Sequence, residues 1–311
     1  PMCQSGQLMY GGSADMKEAK KTIHKAIEIG INFFDTAEVY GPYHNESFLG
    51  EALAGKRKPL VVATKFGFNI EDSGIAGVDG SPENARRAAE ASLKRLNMDY
   101  IDLFYLHRVD PNVPIEETVG GMAKLIDEGK IRHIGLSETG ADTLRRAASE
   151  HTIAALQSEY SLWEREVETE ILPACREFEI GFVPYSPLGR GFLTGTIKDL
   201  EELPQYDLRR RDPRYQDENL ARNFAIVSSI KKVADDLSVS CAQVALAWLL
   251  SKGRDIVPIP GFKRRETLED SMKAVSLSLS DEQIHFLEMA APIGGTSGSR
   301  YGEAAMKMVR I

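Results

Sequence analysis

The sequence predicts an α/β protein, a closed (β/α)8 barrel of parallel strands covered by helices. Short apolar runs rich in β-branched residues alternate with longer segments of helical periodicity, from one end of the chain to the other. These units repeat without a linker or a change in composition, and a polar cluster follows almost every strand, as at the rim of a barrel. The strands are apolar almost throughout, which is typical of a sheet buried on both faces. A doubly wound open sheet is the alternative architecture.

Seven strands are predicted along the chain. They are Ile31–Ala37, Leu60–Phe66, Ile101–His107, Ile131–Ser137, Ala154–Tyr160, Phe182–Pro187 and Ile256–Pro260. Because a barrel of this type has eight strands, we expect the first strand to be short or missing at the N-terminus, at or before Pro1-Met2-Cys3.

Helix boundaries are marked by capping residues. Gly30 is expected to end the helix before the first predicted strand. Ser81 can cap the helix that begins with Pro82, and Ser280 with Gln283 forms the pattern of a capping box. These signals predict helices between the strands.

The connections and the end of the chain also carry expectations. Gly67–Ser81 and Gly189–Asn219 are long enough to predict functional or mobile loops. Residues 1–293 are expected to form one barrel domain, and residues 294–311, which begin with Gly and Ser, a flexible tail.

Composition narrows the class of protein. A net charge of -8 argues against nucleic acid as a partner, since phosphate backbones bind basic faces. The longest apolar run, Ala242–Leu250, has about half the length that spans a bilayer, which predicts a soluble protein without a membrane partner. Cys3, Cys175 and Cys241 lack the spacing of a disulfide framework or a zinc site, so a reducing, cytoplasmic compartment is expected.

Four residues stand where apolar strands stop: Asp35 and Tyr40 after one strand, and Lys65 and His107 at the ends of the next two. An unpaired charge there would be costly, whereas Asp35 and Lys65 could offset each other's desolvation. The cation would also lower the pKa of Tyr40 from about 10 and make it a usable acid. His107 could orient a carbonyl, so the group can protonate an oxygen without a metal. The alternative is a structural salt bridge with ordinary rim residues beside it.

Three segments carry a resemblance to a known family. Phe34–Gly41, Ala63–Gly67 and Tyr105–Arg108 resemble the aldo-keto reductase superfamily, whose Asp, Tyr, Lys and His tetrad lies on a (β/α)8 barrel. All four tetrad positions match. The likeness runs from about Tyr10 to Pro292 and looks closest to the group containing perakine reductase. It implies NADPH-dependent reduction of an aldehyde or ketone, with the proton from Tyr40.

The nicotinamide site follows from the same resemblance. No GxGxxG motif opens a strand-turn-helix unit, so a Rossmann domain is disfavoured. The resemblance implies that nicotinamide stacks on Tyr185 while Ser137 and Gln157 hold its amide. It also assigns to the cofactor the turn that follows, namely Ser186, Leu188, Gly189, Arg190 and Gly191. Glu138 stands where the superfamily commonly has Asn.

A basic segment predicts where phosphate binds. Gly261, Lys263, Arg264 and Arg265 come after the last predicted strand and before a helix, whose N-terminus also favours an anion. A solvated surface run is the alternative. The resemblance implies that this segment holds the 2′-phosphate and prefers NADPH over NADH.

The adenine and substrate contacts are also implied. Glu269 and Ser271 correspond to positions that hold adenine, although Ser271 replaces an Asn and Phe262 a smaller polar residue. Trp163, Arg108 and the Gly189–Asn219 loop are candidates for contacts with a small carbonyl substrate.

Two other functions remain open. Lys65 could form a Schiff base in a barrel lyase or aldolase, with Asp35 and Tyr40 as acid and base. The chain could instead be a non-catalytic NADPH-binding redox sensor, as in potassium-channel beta subunits. The basic segment beside Glu269 favours a dinucleotide over a small phosphorylated sugar, and the complete tetrad argues against a loss of catalysis.

Overall fold

The computed structural model describes residues 15–71, 74–197 and 199–311. Within them, six parallel strands form one curled sheet in the order β1-β2-β5-β6-β7-β8. These strands are β1 (Phe33–Asp35), β2 (Val61–Phe66), β5 (Ile101–Leu106), β6 (Ile131–Ser137), β7 (Ile153–Glu159) and β8 (Gly181–Tyr185). Because neighbouring strands are parallel, their carboxyl ends meet at one rim.

Helices alternate with the strands along the chain. They are α1 (Met16–Glu28), α2 (His44–Leu53), α3 (Pro82–Leu96), α4 (Ile115–Asp127), α5 (Ala141–Glu150), α6 (Ile171–Glu177), α7 (Asp217–Leu237), α8 (Cys241–Leu250), α9 (Arg265–Met272), α10 (Asp281–Ala290) and α11 (Glu303–Met306). The capping signals are confirmed. Ser81 accepts a hydrogen bond from the backbone of Asn84, and Ser280 with Gln283 forms a capping box. Gly30, just beyond α1, has a φ of 94°.

The sheet is buried on both faces, as its apolar strands predict. Its outer face packs with the helices in a large core that includes Val62, Phe104 and Leu156. Inside the curl, Tyr105 and Val183 belong to a second, smaller apolar cluster. A curled parallel sheet with helices on its outside is the architecture of a TIM-type barrel, and the predicted fold class is confirmed.

The seventh predicted strand, Ile256–Pro260, is reduced to a single bridge between Phe182 and Ile256. The segment still runs beside β8, since Val257 donates to the carbonyl of Phe182 and Ile259 to that of Pro184. The ladder stops because the next bond would have to come from Pro184 of β8, and proline has no N–H to donate. The first strand expected at Pro1-Met2-Cys3 lies outside the described residues.

The connection Gly67–Ser81, predicted to be a functional or mobile loop, contains the antiparallel strands β3 (Phe68–Glu71) and β4 (Gly74–Val78). Among the described residues these two strands pair with each other and with no other strand. The connection Gly189–Asn219 instead contains short 3-10 helices, with Arg209 and Arg214 buried in them.

The segment from Gly294, expected to be a flexible tail, packs against the rim. Arg300 is buried there, and the backbone of Arg310 donates to the carbonyl of Glu138 over 2.7 Å. The physical reason is a set of buried carboxylates at the ends of β6 and β7, which the arginines of this segment neutralise.

Among the described helices, none taken singly is both long and apolar enough to cross a bilayer. One pair, Glu218–Leu237 with Cys241–Leu250, passes by length and composition together but is bent by 98°.

Candidate active site

The tetrad predicted from sequence comes together at the carboxyl ends of β1, β2 and β5. Lys65 is 0% exposed, and its Nζ pairs with the carboxylate of Asp35 and donates to the carbonyl of Thr36 over 2.8 Å. Burial lowers the pKa of Lys65, and the charge of Asp35 opposes that shift. The carboxylate therefore favours the charged form of the lysine inside a dry interior.

Tyr40 comes from the turn after β1. Its ring centroid lies 5.0 Å from Lys65 Nζ and 5.9 Å from the centroid of the His107 ring, which it meets edge-on. The turn is tied to the neighbouring strand, since Glu38 donates its N–H to the carbonyl of Lys65. A cation this close to a phenol stabilises the phenolate that remains after the proton has left.

His107 has the properties of a neutral imidazole. Burial lowers its pKa well below the ordinary range, and the charges of Arg108 and Lys65 act in the same direction. Among the described residues, its buried Nδ1 has no hydrogen-bond partner. Phe68 of the hairpin packs on the ring with a centroid distance of 4.8 Å. A neutral, unpaired imidazole beside Tyr40 can bind the oxygen of a carbonyl.

The three residues expected to hold nicotinamide lie at the ends of adjacent strands. Ser137 is the register partner of Gln157, and Glu159 is that of Tyr185. Gln157 donates to Asp35 Oδ2 over 2.9 Å, so it also touches the tetrad. Ser137 Oγ accepts a hydrogen bond from Arg108. An aromatic ring and two short polar side chains next to the tetrad fit a planar amide-bearing ring.

The turn after β8 has an unusual backbone. Ser186 and Arg190 have φ values of 49° and 56°. Positive φ values are uncommon for non-glycine residues, and where they occur they cluster at ligand and active sites. Gly189 donates to the carbonyl of Ser186, and Gly191 to that of Leu188. Arg190 pairs with Asp212, so its charge is held within the following loop.

The basic segment is divided by the fold. Lys263 and Arg264 are exposed immediately before α9, whereas Arg265 pairs with Glu18 of α1 over 2.9 Å. Glu269 is exposed and lies 3.5 Å from Lys25. Ser271 is buried. Gly261, Lys263 and Arg264 therefore precede a helix N-terminus, where an anion is favoured, and Arg265 already has a carboxylate partner.

The two substrate candidates lie in different surroundings. Trp163 is buried against Phe192 and Tyr215, a packed position in the protein core. Arg108 follows His107 and lies 5.9 Å from the centroid of the Phe68 ring. Arg108 thus lies beside the tetrad, and Trp163 beneath the loop that follows β8.

Several residues at the site were missed in the sequence. Thr36 binds Lys65 only through its backbone carbonyl, which no side-chain pattern could reveal. Phe68 stands near the start of a glycine-rich stretch that has no helical or buried-strand pattern. Arg300 and Tyr301 bind the hydroxyl of Tyr185 from more than a hundred positions along the chain, in a segment whose composition predicts flexibility.

The chain is similar to known proteins over most of its length. Residues 4–291 match the model of the aldo/keto reductase family. A probable aldo-keto reductase 1 from Glycine max is 45% identical over 293 residues, which are 94% of this chain and 84% of that protein. The structure of a glycerol dehydrogenase from Gluconobacter oxydans is similar with a TM-score of 0.83 and 31% identity, covering 92% of this chain and 88% of that one.

An aldo/keto reductase from Klebsiella pneumoniae, solved in complex with NADP and acetate, is similar with a TM-score of 0.72 and 26% identity. The match covers 92% of this chain and 89% of that chain. With a family model across nearly the whole chain and a relative at 45% identity, the chain belongs to the aldo/keto reductase family.

Proposed function

We propose that Tyr40 donates the proton in carbonyl reduction, with Lys65, Asp35 and His107 as its supporting groups. The protein is an NADP-dependent oxidoreductase that reduces an aldehyde or ketone to the alcohol, the activity of its family. The observation that carries the assignment is the position of the Lys65 ammonium, paired with Asp35 and 5.0 Å from the Tyr40 ring.

Each residue has a distinct part in this mechanism. NADPH, when bound, supplies the hydride. His107, kept neutral by burial, donates a hydrogen bond to the carbonyl oxygen and orients it toward Tyr40. Tyr40 gives its proton to that oxygen, and the adjacent Lys65 cation stabilises the phenolate that is left. Asp35 keeps Lys65 protonated and in place.

The cofactor residues are assigned by position and chemistry. Tyr185 offers a ring for stacking, and Ser137 and Gln157 offer polar groups for the amide. The backbone turn formed by Ser186, Leu188, Gly189, Arg190 and Gly191 lies beside them. Lys263 and Arg264, with Gly261, would hold the 2′-phosphate at the start of α9, and Glu269 would hold the adenine. Because Ser271 is buried, any contribution from it would be to the packing beneath that site.

We propose that the protein reduces aldehydes in preference to ketones. Phe68 and Arg108 crowd the approach to His107, which favours the less substituted carbonyl. Trp163 would act on the substrate only indirectly, through packing of the loop after β8. The relevant comparison is kcat/KM for an aldehyde and a methyl ketone of equal length.

The two alternative functions, a Schiff-base lyase or aldolase and a non-catalytic redox sensor, gain no support. A Schiff base at Lys65 requires a free amine, whereas this ammonium is fully buried and donates to Asp35 and Thr36. The complete tetrad geometry also gives no reason to favour a sensor without catalysis.

We also propose a reducing, cytoplasmic location. Cys175 and Cys241 are free, and burial raises the pKa of Cys175 to about 12. A buried thiol with a raised pKa resists oxidation. Two cysteines without a disulfide are typical of proteins in a reducing compartment.

The test is cofactor titration followed by turnover. Fluorescence titration should give tighter binding of NADPH than of NADH, and Arg264→Gln should weaken NADPH more than NADH. NADPH should then be oxidised in the presence of aldehydes.

Tyr40→Phe should bind NADPH nearly normally and reduce aldehydes at least about 100-fold more slowly, because only the transferable proton is lost. Tyr43→Phe, an exposed tyrosine in the same turn, is the matched control and should keep full activity. Full activity of Tyr40→Phe would overturn the assignment.

A further inference from the structure

The last residues of the chain form a strap across the carboxyl ends of β6, β7 and β8. We define the C-terminal strap as residues 299–311. Its backbone is tied to the loop after β6, since Arg310 donates to Glu138 and Gly140 donates to the carbonyl of Ile311 over 2.9 Å. A Cβ on Gly140 would lie 2.8 Å from the carbonyl oxygen of Arg310, so the strap needs a glycine at this position. The fit is therefore close and specific.

Arg300 is the buried anchor of the strap. Its side chain is 3% exposed and binds Glu138 through two nitrogens, at 2.5 and 3.1 Å. The Nε donates to Glu159 over 3.2 Å. Burial alone would raise the pKa of Glu138, but the charge and hydrogen bonds of Arg300 lower it to about 2. Glu138 is thus a full carboxylate whose main counter-charge comes from the strap.

Arg300 also contacts Tyr185, the residue on which nicotinamide is proposed to stack. Arg300 donates to the hydroxyl of Tyr185 over 2.8 Å, and the hydroxyl of Tyr301 lies 2.6 Å from the same oxygen. The ring of Tyr301 is held in turn by Arg190, whose guanidinium carbon lies 4.9 Å from the ring centroid. The hydroxyl oxygen lies on the axis about which the ring turns, so these two contacts do not set the rotation of the ring. They restrict χ1 and thereby fix where the ring lies.

We propose that Arg300 is a positioning residue for Tyr185. Held by Glu138 and Glu159, it fixes the position of the tyrosine ring on which nicotinamide stacks. This inference rests on the proposed function, in which Tyr185 carries the nicotinamide. It also gives a role to Glu138, which stands where the superfamily commonly has Asn: its carboxylate holds the arginine that holds the ring. Small errors in the placement of a reacting group lower the rate of its chemical step.

A double-mutant cycle tests the proposal. The variants are Arg300→Gln, Tyr185→Phe and the two combined, and the measurements are the Kd of NADPH and the single-turnover rate of hydride transfer. Arg300→Gln alone should weaken NADPH binding and slow transfer several-fold. In the Tyr185→Phe background, where the hydroxyl is already gone, the same change should have little further effect. Equal fold losses in both backgrounds would show that Arg300 does not act through the hydroxyl of Tyr185, and would overturn the proposal.

A second variant guards against misfolding. Arg300→Lys keeps a buried cation opposite Glu138 but cannot reproduce the planar fork of the guanidinium. It should fold, weaken NADPH binding less than Arg300→Gln does, and show the same lack of additivity with Tyr185→Phe. Additivity of Arg300→Lys with Tyr185→Phe would also contradict the proposal.

A matched control lies on the same strap. Arg310 pairs with Glu164 and Glu166, whereas the hydroxyl of Tyr185 contacts Arg300 and Tyr301. Arg310→Gln should loosen the strap, as judged by limited proteolysis, yet leave the Kd of NADPH unchanged. A loss of affinity equal to that of Arg300→Gln would mean that any loosening of the strap suffices, and the specific role of Arg300 would fall.

The outcomes separate this inference from the proposed function. If Tyr185→Ala binds NADPH as tightly as the unaltered protein, the stacking role of Tyr185 is wrong and the inference falls with it. If Tyr185→Ala loses affinity while the cycle between Arg300 and Tyr185 is additive, the proposed function stands and only the inference falls.

Discussion

At the scale of single residues, the site depends on ionisable groups held where water does not reach. Lys65 is fully buried, and its carboxylate partner Asp35 is nearly so. Removing one member of a buried ion pair leaves the other charge without compensation, which costs far more than losing an exposed pair. The same group that tunes Tyr40 is therefore a point of fragility for the fold.

Asp35→Asn should reveal both effects. Without the carboxylate the pKa of Lys65, already lowered by burial, should fall further, so that a smaller fraction of the lysine is protonated. We expect kcat for aldehyde reduction to fall by about 100-fold at neutral pH and to recover partly as the pH is lowered. The free energy of unfolding should fall by about 3 kcal/mol. Measurements are kcat against pH and urea unfolding.

The control for this variant is an exposed pair. Glu51 lies 2.6 Å from Lys20 on the surface, where a salt bridge contributes little. Glu51→Gln should leave both kcat and stability unchanged. A pH-independent kcat in Asp35→Asn would contradict the role assigned to the carboxylate.

Glu38 is a second buried acid, between Asp35 and Tyr40 in the sequence. Burial, with the nearby charge of Glu46, raises the pKa of Glu38 from 4.5 to about 7. Because the folded state holds this proton more tightly than the unfolded state, the protein loses stability as the pH rises from about 4.5 to about 7. Above that window the ionised carboxylate opposes folding.

Glu38→Gln should therefore stabilise the protein at pH 8, by up to about 3 kcal/mol. The amide oxygen can still accept the hydrogen bond from the backbone of Gly67. At pH 5 the gain should be much smaller, because the wild-type carboxyl is then largely protonated. Urea unfolding of both proteins at the two pH values measures the difference, and an equal gain at both would contradict it.

At the scale of elements, the strands could be predicted and their exceptions have local causes. Six of the predicted strands follow from apolar runs, since a doubly buried strand leaves that pattern in the sequence. The segment after Ile256 keeps the pattern, but Pro184 of the neighbouring strand β8 has no N–H to donate to it, which limits the pairing to one bridge. The hairpin of β3 and β4 has no core face of its own, and glycines interrupt its alternation, so its pairing left no clear signal.

The hairpin covers the active site through Phe68. This ring packs on His107, whose aromatic neighbours among the described residues are Phe68 and Tyr40. Phe68→Ala should free the imidazole and admit water, so that kcat falls while the Kd of NADPH is unchanged. Ile75→Ala is the matched control, because Ile75 lies on the same hairpin with 54% of its side chain exposed. A loss of NADPH affinity in Phe68→Ala would show that the hairpin serves the cofactor instead.

At the scale of the whole molecule, the contacts that sequence could not predict are those between distant segments. The tetrad could be predicted because each member ends a recognisable strand, and strand ends of a barrel converge. Arg300 and Glu138 are separated by 162 positions, and the sequence around either residue does not predict that the two will pair. The glycines and serines at the end of the chain predict mobility, whereas this segment is held by Arg300 and Arg310 and by the carboxylates with which they pair.

This arrangement predicts that barrel, loop and strap unfold as one unit. The chain has two tryptophans, and they report on different parts. Trp248 is buried in α8 against Tyr160, whereas Trp163 packs beneath the loop after β8, and its carbonyl accepts from Thr296 over 2.6 Å. Trp163→Phe and Trp248→Phe therefore give proteins with a single reporter each.

The two single-tryptophan proteins should unfold in urea with transitions that coincide with their own circular dichroism curves. NADPH at about a hundred times its Kd should stabilise both by about 2.7 kcal/mol, since it binds only the folded state. An early fluorescence transition of Trp163, ahead of the circular dichroism of the same protein, would instead mean that the loop and strap melt separately. In that case the residues from 294 onward, which include the strap, would detach from the barrel before it unfolds. NADPH should then delay the Trp163 transition more than the Trp248 transition, because these residues cover the end of the sheet where nicotinamide is proposed to bind.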